Sequence, residues 1–269
     1  MDWLQASIIA LIQGVTEFLP ISSSAHLLFP SLLLGWPDQG LTFDVAVHLG
    51  SLLAVVIYLR SDLIAMVLGL WQWQHEKRLN QQATLALMLI VATLPAVFFG
   101  LLLKGWIQVN AREIWVVALT TLVFGLLLGW ADWRSRRQYQ MSAMSWRHTL
   151  GIGLAQALAL LPGTSRSGIT MTAALMLGYT REAAARFSFL MSIPVILAAS
   201  SLMALELATT NVAIVWPPML IAFVVSFASA WLCIVLFMQV ISRMGMWPFV
   251  VYRIVLGVGL CWLILPTLN

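Results

Sequence analysis

The chain has 269 residues, of which 61% are hydrophobic and only 9% are charged, and its formal net charge is +4. Its mean hydropathy is +0.95. A soluble domain carries roughly a quarter charged residues, so this composition excludes water as the main solvent and predicts a membrane protein. No basic stretch is interleaved with aromatic residues on a solvated surface, so we expect no nucleic acid among its partners.

The first predicted unit is a pair of short apolar stretches around a proline. Trp3–Leu19 is barely long enough to cross a bilayer, which needs about 20 helical residues, and Leu27–Leu34 is far too short. Pro20 should end the first helix inside the membrane, because proline lacks a backbone donor. Broken backbone at that depth persists only where it lines a polar cavity or is buried in protein. The pattern therefore predicts a re-entrant helical hairpin.

The rest of the chain divides into long apolar spans and a second unit of the same kind. Three spans are predicted before the polar segment 132–148, at Leu41–Leu59, Ala83–Leu103 and Ile114–Ala131. After it, Leu150–Leu161 and Ile169–Leu177 flank Pro162 and predict a second re-entrant hairpin. Three more spans are predicted at Ala183–Leu205, Pro217–Val240 and Trp247–Leu265.

The two halves repeat each other. Residues 13–24 resemble residues 156–167, because each is an apolar helix stopped by proline and followed by a serine-rich turn. An odd number of spans per half inverts the second half relative to the first. We therefore predict an all-α polytopic membrane protein with six transmembrane helices and two re-entrant hairpins in an inverted-topology repeat. It forms a single membrane domain over 1–269, with repeats at about 1–131 and 149–269.

The loop charges agree with this topology. Ten basic residues fall on one side and two on the other, when Arg166 and Arg253 are set aside as intramembrane or near a span. The ten are Arg60, Lys77, Arg78, Arg134, Arg136, Arg137, Arg147, Arg181, Arg186 and Arg243, and the two are Lys104 and Arg112. The positive-inside rule places the ten-charge face and the 132–148 loop in the cytoplasm, and both termini outside.

Ionisable residues gather at the two hairpins, with Glu17 and His26 in the first and Arg166 in the second. Each charge at the bilayer centre costs roughly 2.5–3.5 kcal/mol, so such residues are functional candidates. Hairpins that enter from opposite faces would bring their tips together and pair Glu17 with Arg166. A purely structural ion pair is the alternative, but it would not need the hydroxyls that accompany it: Ser22, Ser23, Ser24, Ser165, Ser167 and Thr170.

The second turn, residues 162–168, has the composition of an anion site. It precedes a helix, so free N–H groups and the positive end of the helix dipole face it. Gly163 permits close backbone approach, Arg166 offers a planar fork of donors, and Thr164 adds a hydroxyl.

The first turn offers reactive groups instead. Gln13 and Glu17 share a helix face, and Ser23 and His26 are close enough in sequence to meet. Together the turns suit phosphoryl transfer.

These residues resemble the undecaprenyl-diphosphate phosphatases of the bacitracin-resistance type. That family's signatures are an (E/Q)xxxE helix and a PGxSRSxxT turn, which Gln13 with Glu17 and Pro162 through Thr170 match at every fixed position. The resemblance implies hydrolysis of undecaprenyl diphosphate to undecaprenyl phosphate in the bacterial cytoplasmic membrane, with the active site on the outer side. This reaction recycles the cell-wall lipid carrier and confers resistance to bacitracin.

The resemblance also implies roles for the site residues and a divalent cation, Mg or Ca. The catalytic residues would be Glu17, Ser23, His26 and Arg166, and the substrate-binding residues Ser22, Ser24, Gly163, Thr164, Ser165, Ser167 and Thr170. Glu17 and Gln13 would hold the metal. Position 13 is Gln where many members carry Glu, which weakens a paired-carboxylate site.

Several alternatives stay open at this point. Either His26 or Ser23 could attack phosphorus, and a homodimer is left open. His48 is interpreted as a hydrogen-bonded core residue. The rival from another class is a transporter, such as a flippase for the isoprenoid phosphate, because inverted repeats with broken helices are the usual transporter design. A purely structural membrane subunit fits poorly with so many buried polar residues.

Overall fold

A computed structural model describes residues 2–36, 40–111, 113–209 and 215–264, and the regular structure in these residues is almost entirely helical. Within these residues β-pairing is limited to one isolated bridge between Tyr139 and Tyr179. The helices are α1 (Trp3–Phe18), α2 (Ser23–His26), α3 (Phe29–Leu34), α4 (Leu41–Tyr58), α5 (Arg60–Glu76), α6 (Gln81–Asn110), α7 (Ile114–Arg134), α8 (Trp146–Ala157), α9 (Arg166–Met176), α10 (Arg181–Thr209), α11 (Trp216–Met244) and α12 (Trp247–Ile264).

Five helices are long and apolar enough to cross a membrane: α4, α6, α7, α10 and α11. They coincide with five of the six predicted spans, so the multi-pass membrane prediction is confirmed. The sixth predicted span, Trp247–Leu265, overlaps α12, whose described apolar part is Trp247–Leu263 and is slightly shorter. Residue 265 lies outside the described residues.

The prediction missed α5 and misplaced the start of α8. No helix was predicted between Leu59 and Ala83, but α5 occupies Arg60–Glu76 of that segment. Its polar ends lower the hydropathy below that of a span, and Arg186 of α10 holds it through an ion pair to Asp62 at 2.6 Å. Helix α8 begins at Trp146 rather than Leu150, because the Ser145 side chain caps it. The polar divider between the halves is therefore shorter than 132–148.

Elements of one half pack on elements of the other. Helix α1 lies against α11, and α8 lies against α6, so each proline-terminated helix contacts a long helix of the opposite half. Both contacts are close: a Cβ on Gly14 would come within 2.6 Å of the Ser226 carbonyl oxygen, and one on Gly153 within 2.5 Å of the Ala92 carbonyl oxygen. Small residues that allow such approach are typical of helix pairs in membranes.

Each hairpin returns towards its starting point. In the second hairpin, His148 near the start of α8 and Tyr179 just after α9 are joined by a hydrogen bond of 2.8 Å. In the first, Trp36 after α3 packs into the same apolar cluster as Ala6 and Ile9 near the start of α1.

A buried carboxylate connects the helix ends on the arginine-rich side. Asp132 at the end of α7 accepts hydrogen bonds from Arg181 Nε at 2.6 Å and Nη2 at 2.8 Å, and from the Met246 N–H at 3.1 Å. These contacts join the ends of α7 and α11 to the start of α10. At the opposite end of the bundle, Lys104 of α6 forms an ion pair with Glu206 of α10.

Candidate active site

The two proline turns meet between the halves and bond to each other. The Ser167 hydroxyl donates to the Leu19 carbonyl at 2.8 Å, and the Gly163 N–H donates to the Ser24 hydroxyl oxygen at 3.2 Å. The contact uses backbone groups of both turns. The position of each turn is thus set by the other.

Equivalent serines give the turns the same backbone shape. Ser22 has a φ of 73° and Ser165 a φ of 69°, in the left-handed region that non-glycine residues rarely adopt. Each immediately precedes a helix, α2 or α9. Such strain costs on the order of 1–3 kcal/mol and clusters at functional sites.

Arg253 of α12 holds both turns from behind. Its guanidinium is fully buried and donates to Gly163 O at 2.9 Å and Thr164 O at 3.0 Å. Longer contacts of 3.4 Å reach Pro20 O in the first turn and Thr120 O of α7. Arg253 was left out of the count of loop charges because it lies near a predicted span, and no role was predicted for it. Its many carbonyl partners assign it to the scaffold of the site.

A carboxylate–guanidinium pair forms the centre of the site. Glu17 Oε1 accepts from Arg166 Nη2 at 2.9 Å, and both side chains are largely buried. Glu17 Oε2 accepts from the Ser23 hydroxyl at 3.0 Å and from Gln13 Nε2 at 2.9 Å. The predicted groups Gln13, Glu17, Ser23 and Arg166 are thus in direct contact, although they come from both halves of the chain.

His48 of α4 extends this network. Its Nδ1 lies 2.7 Å from the Asp44 carbonyl oxygen, which can only accept, so Nδ1 carries the proton. The Nε2 atom of the neutral ring then accepts from Gln13 Nε2 at 3.3 Å. His48 is a hydrogen-bonded residue as expected, but its partner belongs to the site. With its nitrogen shared between Glu17 and His48, the Gln13 amide has a fixed orientation.

Three buried polar atoms of the site have no hydrogen-bond partner within the described residues. They are Gln13 Oε1, Thr164 Oγ1 and Arg166 Nη1. Buried polar atoms normally have partners, so each one needs an explanation. Thr164 Oγ1 and Arg166 Nη1 can donate hydrogen bonds to an anion. The N–H groups and the positive dipole end at the start of α9 also favour an anion there. The turn is therefore able to bind phosphate oxygens.

His26 is hydrogen-bonded to groups other than the Glu17 carboxylate. Its Nδ1 lies 2.7 Å from the Ser22 carbonyl oxygen, and its Nε2 lies 2.6 Å from the Tyr252 hydroxyl. The predicted contact between Ser23 and His26 does not form, because Ser23 is bonded to Glu17 instead. Tyr252 and Arg253 are neighbours on α12, far from both turns in sequence, and no local pattern links them to the site.

The remaining predicted residues shape the turns. The Ser165 hydroxyl caps α9 by accepting from the Gly168 N–H at 3.1 Å, and the Ser22 and Ser24 hydroxyls are 3.0 Å apart. Thr170 Oγ1 is bonded to the Ser188 hydroxyl of α10 at 2.7 Å, behind the turn. Thr170 therefore links α9 to α10, and its hydroxyl is not bonded to Thr164 or Arg166, which carry the unpartnered donors.

The site offers few ligands for a metal cation. Among the residues that the structure describes, no three His, Cys, Asp or Glu side chains are close enough to share a metal ion. However, Gln13 Oε1 has no partner and Glu17 is bonded to the same amide. A carboxylate and a free carbonyl oxygen are ligands that Mg²⁺ and Ca²⁺ accept. These two residues fit a divalent cation that completes its coordination from a bound anion.

Fold and site together define a multi-pass membrane protein with a buried cluster of hydroxyl groups around a Glu–Arg pair. The chain matches the family described as bacitracin resistance protein BacA over residues 6–259, and it belongs to that family. The family assignment made from the two motifs is confirmed.

Two relatives cover almost the whole chain. An undecaprenyl-diphosphatase of Alcanivorax borkumensis is 56% identical over 260 residues, which are 97% of this chain and 98% of the relative. An undecaprenyl-diphosphatase of Chromohalobacter salexigens is 55% identical over 261 residues, with the same coverage of 97% and 98%.

Proposed function

We propose that this protein is an undecaprenyl-diphosphate phosphatase, which releases inorganic phosphate from undecaprenyl diphosphate and confers bacitracin resistance. Membership of the bacitracin resistance family and the names of its relatives support this activity. The observation that carries it is the unpartnered Nη1 of Arg166, on a guanidinium held 2.9 Å from Glu17 where the two turns meet. A free charged donor beside a carboxylate and a hydroxyl suits phosphoryl transfer.

Arg166 binds the terminal phosphate of the substrate. Its free Nη1, the Thr164 hydroxyl and the first-turn amides of α9 donate to the phosphate oxygens. The isoprenoid tail lies between helices, in the lipid. Negative charge shifts to these oxygens and the leaving oxygen during transfer, so fixed donors there stabilise the transition state more than the bound substrate.

The contacts favour Ser23 over His26 as the attacking group. The Ser23 hydroxyl already donates to Glu17 Oε2 at 3.0 Å, so the carboxylate takes its proton as Oγ bonds to the terminal phosphorus. The bond from phosphorus to the bridging oxygen breaks, and undecaprenyl phosphate leaves. Water then attacks the phosphoserine, and its proton passes to His26 Nε2 through the hydroxyl bonded to that nitrogen. As the phosphorus–Oγ bond breaks, Glu17 returns its proton to Ser23 Oγ, and inorganic phosphate is released. His26 is therefore a proton acceptor in this scheme.

A divalent cation, Mg or Ca, is proposed as the cofactor. Glu17 and Gln13 Oε1 would hold it, and it would neutralise part of the diphosphate charge. Gln13 supplies a neutral oxygen, so this site holds one carboxylate charge less than a Glu pair would. The cation depends accordingly more on the substrate for its binding.

The topology supports a site within the bilayer of the bacterial cytoplasmic membrane. We propose six spans, with α12 as the sixth, and two re-entrant hairpins in an inverted repeat. The hairpin ends near each other in the His148–Tyr179 and Trp36–Ala6 regions, and the crossed packing of α1 and α8, support this arrangement. The arginine-rich side would face the cytoplasm, with the termini and the site on the outer side.

The test is phosphate release by the purified full chain in detergent, with farnesyl or undecaprenyl diphosphate and Mg²⁺. Arg166→Ala should lower the rate by roughly 10²–10³-fold, the usual effect of removing a donor that stabilises developing charge. Arg186→Ala is the matched control, because Arg186 pairs with Asp62 outside the site.

Near-normal turnover by a folded Arg166→Ala protein would contradict the phosphate-site assignment. A wild-type protein that moves isoprenoid phosphate between leaflets but releases no phosphate in detergent would favour the transporter instead.

A further inference from the structure

The geometry around His26 assigns a role to Tyr252 that lies beyond the family's two sequence motifs. His26 Nδ1 faces the Ser22 carbonyl oxygen at 2.7 Å. A carbonyl oxygen can only accept, so Nδ1 carries the ring proton. In the neutral ring Nε2 is therefore an acceptor, and the hydroxyl at 2.6 Å from it, that of Tyr252, must be the donor.

The tyrosine also fixes the plane of the imidazole. The planes of the two rings are nearly parallel, with an interplanar angle of 5° and centroids 5.5 Å apart. The Phe29 ring meets the imidazole edge-on at 82°. A four-residue helix such as α2 has little rigidity of its own, because one turn of helix is only marginally stable. The orientation of His26 thus depends on partners outside its helix.

Tyr252 also separates His26 from the surroundings of the protein. His26 is 7% exposed and Tyr252 is 43% exposed, and the hydroxyl occupies the approach to Nε2. A proton from water can therefore reach Nε2 only through this hydroxyl, which gives its own proton to Nε2, takes one from water and then accepts from the protonated ring. The hydroxyl remains a partner of Nε2 in both protonation states of the ring.

We propose that Tyr252 holds His26 in one tautomer during the phosphatase reaction and passes the proton of the attacking water to Nε2. This rests on the proposed function, in which His26 takes the proton of the attacking water. Helix α12 then contributes two adjacent residues with separate tasks, since Arg253 holds the turns and Tyr252 orients the histidine.

The first test is kinetic and uses Tyr252→Phe, which removes only the hydroxyl. We expect kcat to fall about 10-fold, the value of one hydrogen bond to a reacting group, while KM changes less than twofold. Tyr139→Phe is the matched control, because Tyr139 is also 43% exposed and lies away from both turns. It should leave kcat unchanged.

The second test is a double-mutant cycle with His26→Ala. If Tyr252 acts through His26, then Tyr252→Phe causes no further loss in the His26→Ala protein. Losses that multiply, or a normal kcat for Tyr252→Phe alone, would overturn the proposal.

A spectrum separates this inference from the proposed activity. The chain has 4 histidines, so ¹⁵N-histidine labelling gives few side-chain signals, and His26→Ala assigns one set. Tyr252→Phe should shift the His26 Nε2 resonance and leave its Nδ1 resonance nearly in place. An unchanged spectrum would refute the contact. A shifted spectrum in a protein without phosphatase activity would retain the contact and reject the function.

Discussion

The two proline turns share a backbone and differ in chemistry. Ser22 and Ser165 adopt the same left-handed conformation before a helix. The first turn leads into a four-residue helix, α2, and carries Ser23 and His26, whereas the second leads into the eleven-residue α9 and carries Arg166. The longer helix has the dipole that an anion site needs, and the shorter one leaves its side chains to be oriented by neighbours. In the proposed reaction, the first turn therefore supplies the reactive groups and the second turn binds the anion.

The helices before the turns differ in the same way. Gln13 and Gln156 are equivalent in the repeat, but only Gln13 has polar partners, Glu17 and His48. The position that corresponds to Glu17 is Leu160. Both side-chain polar atoms of Gln156 are buried without a partner within the described residues. The first copy therefore keeps a polar network that the second copy lacks.

The largest effect should come from removing the charge of the first turn. Glu17→Gln keeps the shape of the side chain but deprives Ser23 of a base and Arg166 of its counter-ion. We expect phosphate release to fall roughly 10²–10⁴-fold. Asp62→Asn, which alters an exposed ion pair with Arg186, should stay near the wild-type rate. A Glu17→Gln protein with more than a tenth of wild-type activity would show that the carboxylate is not the base.

An intermediate effect should distinguish the equivalent glutamines. Gln13→Leu removes a donor to Glu17 and should cost about tenfold in activity, the value of one hydrogen bond to a charged group. Gln156→Leu removes two buried unpartnered atoms and should leave activity unchanged, with unfolding free energy raised by about 1 kcal/mol. Rates and thermal unfolding midpoints of both variants test this. Equal losses of activity would mean that the two halves share one function.

The smallest effect should be a change in stability when either serine with a positive φ, Ser22 or Ser165, is replaced by glycine. Ser22→Gly relieves a left-handed φ and loses no helix cap, so we expect a gain of about 0.5 kcal/mol in stability. Ser165→Gly relieves the same strain but loses the bond from the Gly168 N–H, so its net change should be close to zero. Thermal unfolding of the two variants in one detergent compares them directly. A larger gain for Ser165→Gly would show that the turns are not strained alike.

Hydropathy and proline positions were sufficient to predict most of the fold. The long apolar runs became α4, α6, α7, α10 and α11, and Pro20 and Pro162 follow the ends of the helices where the chain turns back. Helix α5 was missed, because a helix with polar ends that is held by an ion pair, Asp62 with Arg186, has no spanning signal. The length and apolarity of a sequence segment predict a helix that contacts lipid. They do not predict a helix that ion pairs hold in place.

The site was predicted as far as local motifs extend. Glu17, Ser23 and Arg166 were identified because each lies in a turn where an ionisable or hydroxyl group is costly unless it is used. His48, Tyr252 and Arg253 lie in long apolar helices, and their partners are more than thirty positions away or are backbone carbonyls. A carbonyl oxygen has no sequence signature. Contacts of this kind become visible only when the helices are packed.

The bonds of Arg253 limit how the protein can move. Its guanidinium reaches Pro20 in one half and Gly163 in the other, together with Thr121 of α7. Sliding one half past the other would strip these oxygens of their donors in a medium that offers no water in exchange, at a cost of several kcal/mol for each unsatisfied group. Substrate should consequently enter through a local separation of helices, while the two turns and Arg253 stay in place. When the chemical step is fast, the exchange of lipid product for lipid substrate should limit the turnover rate.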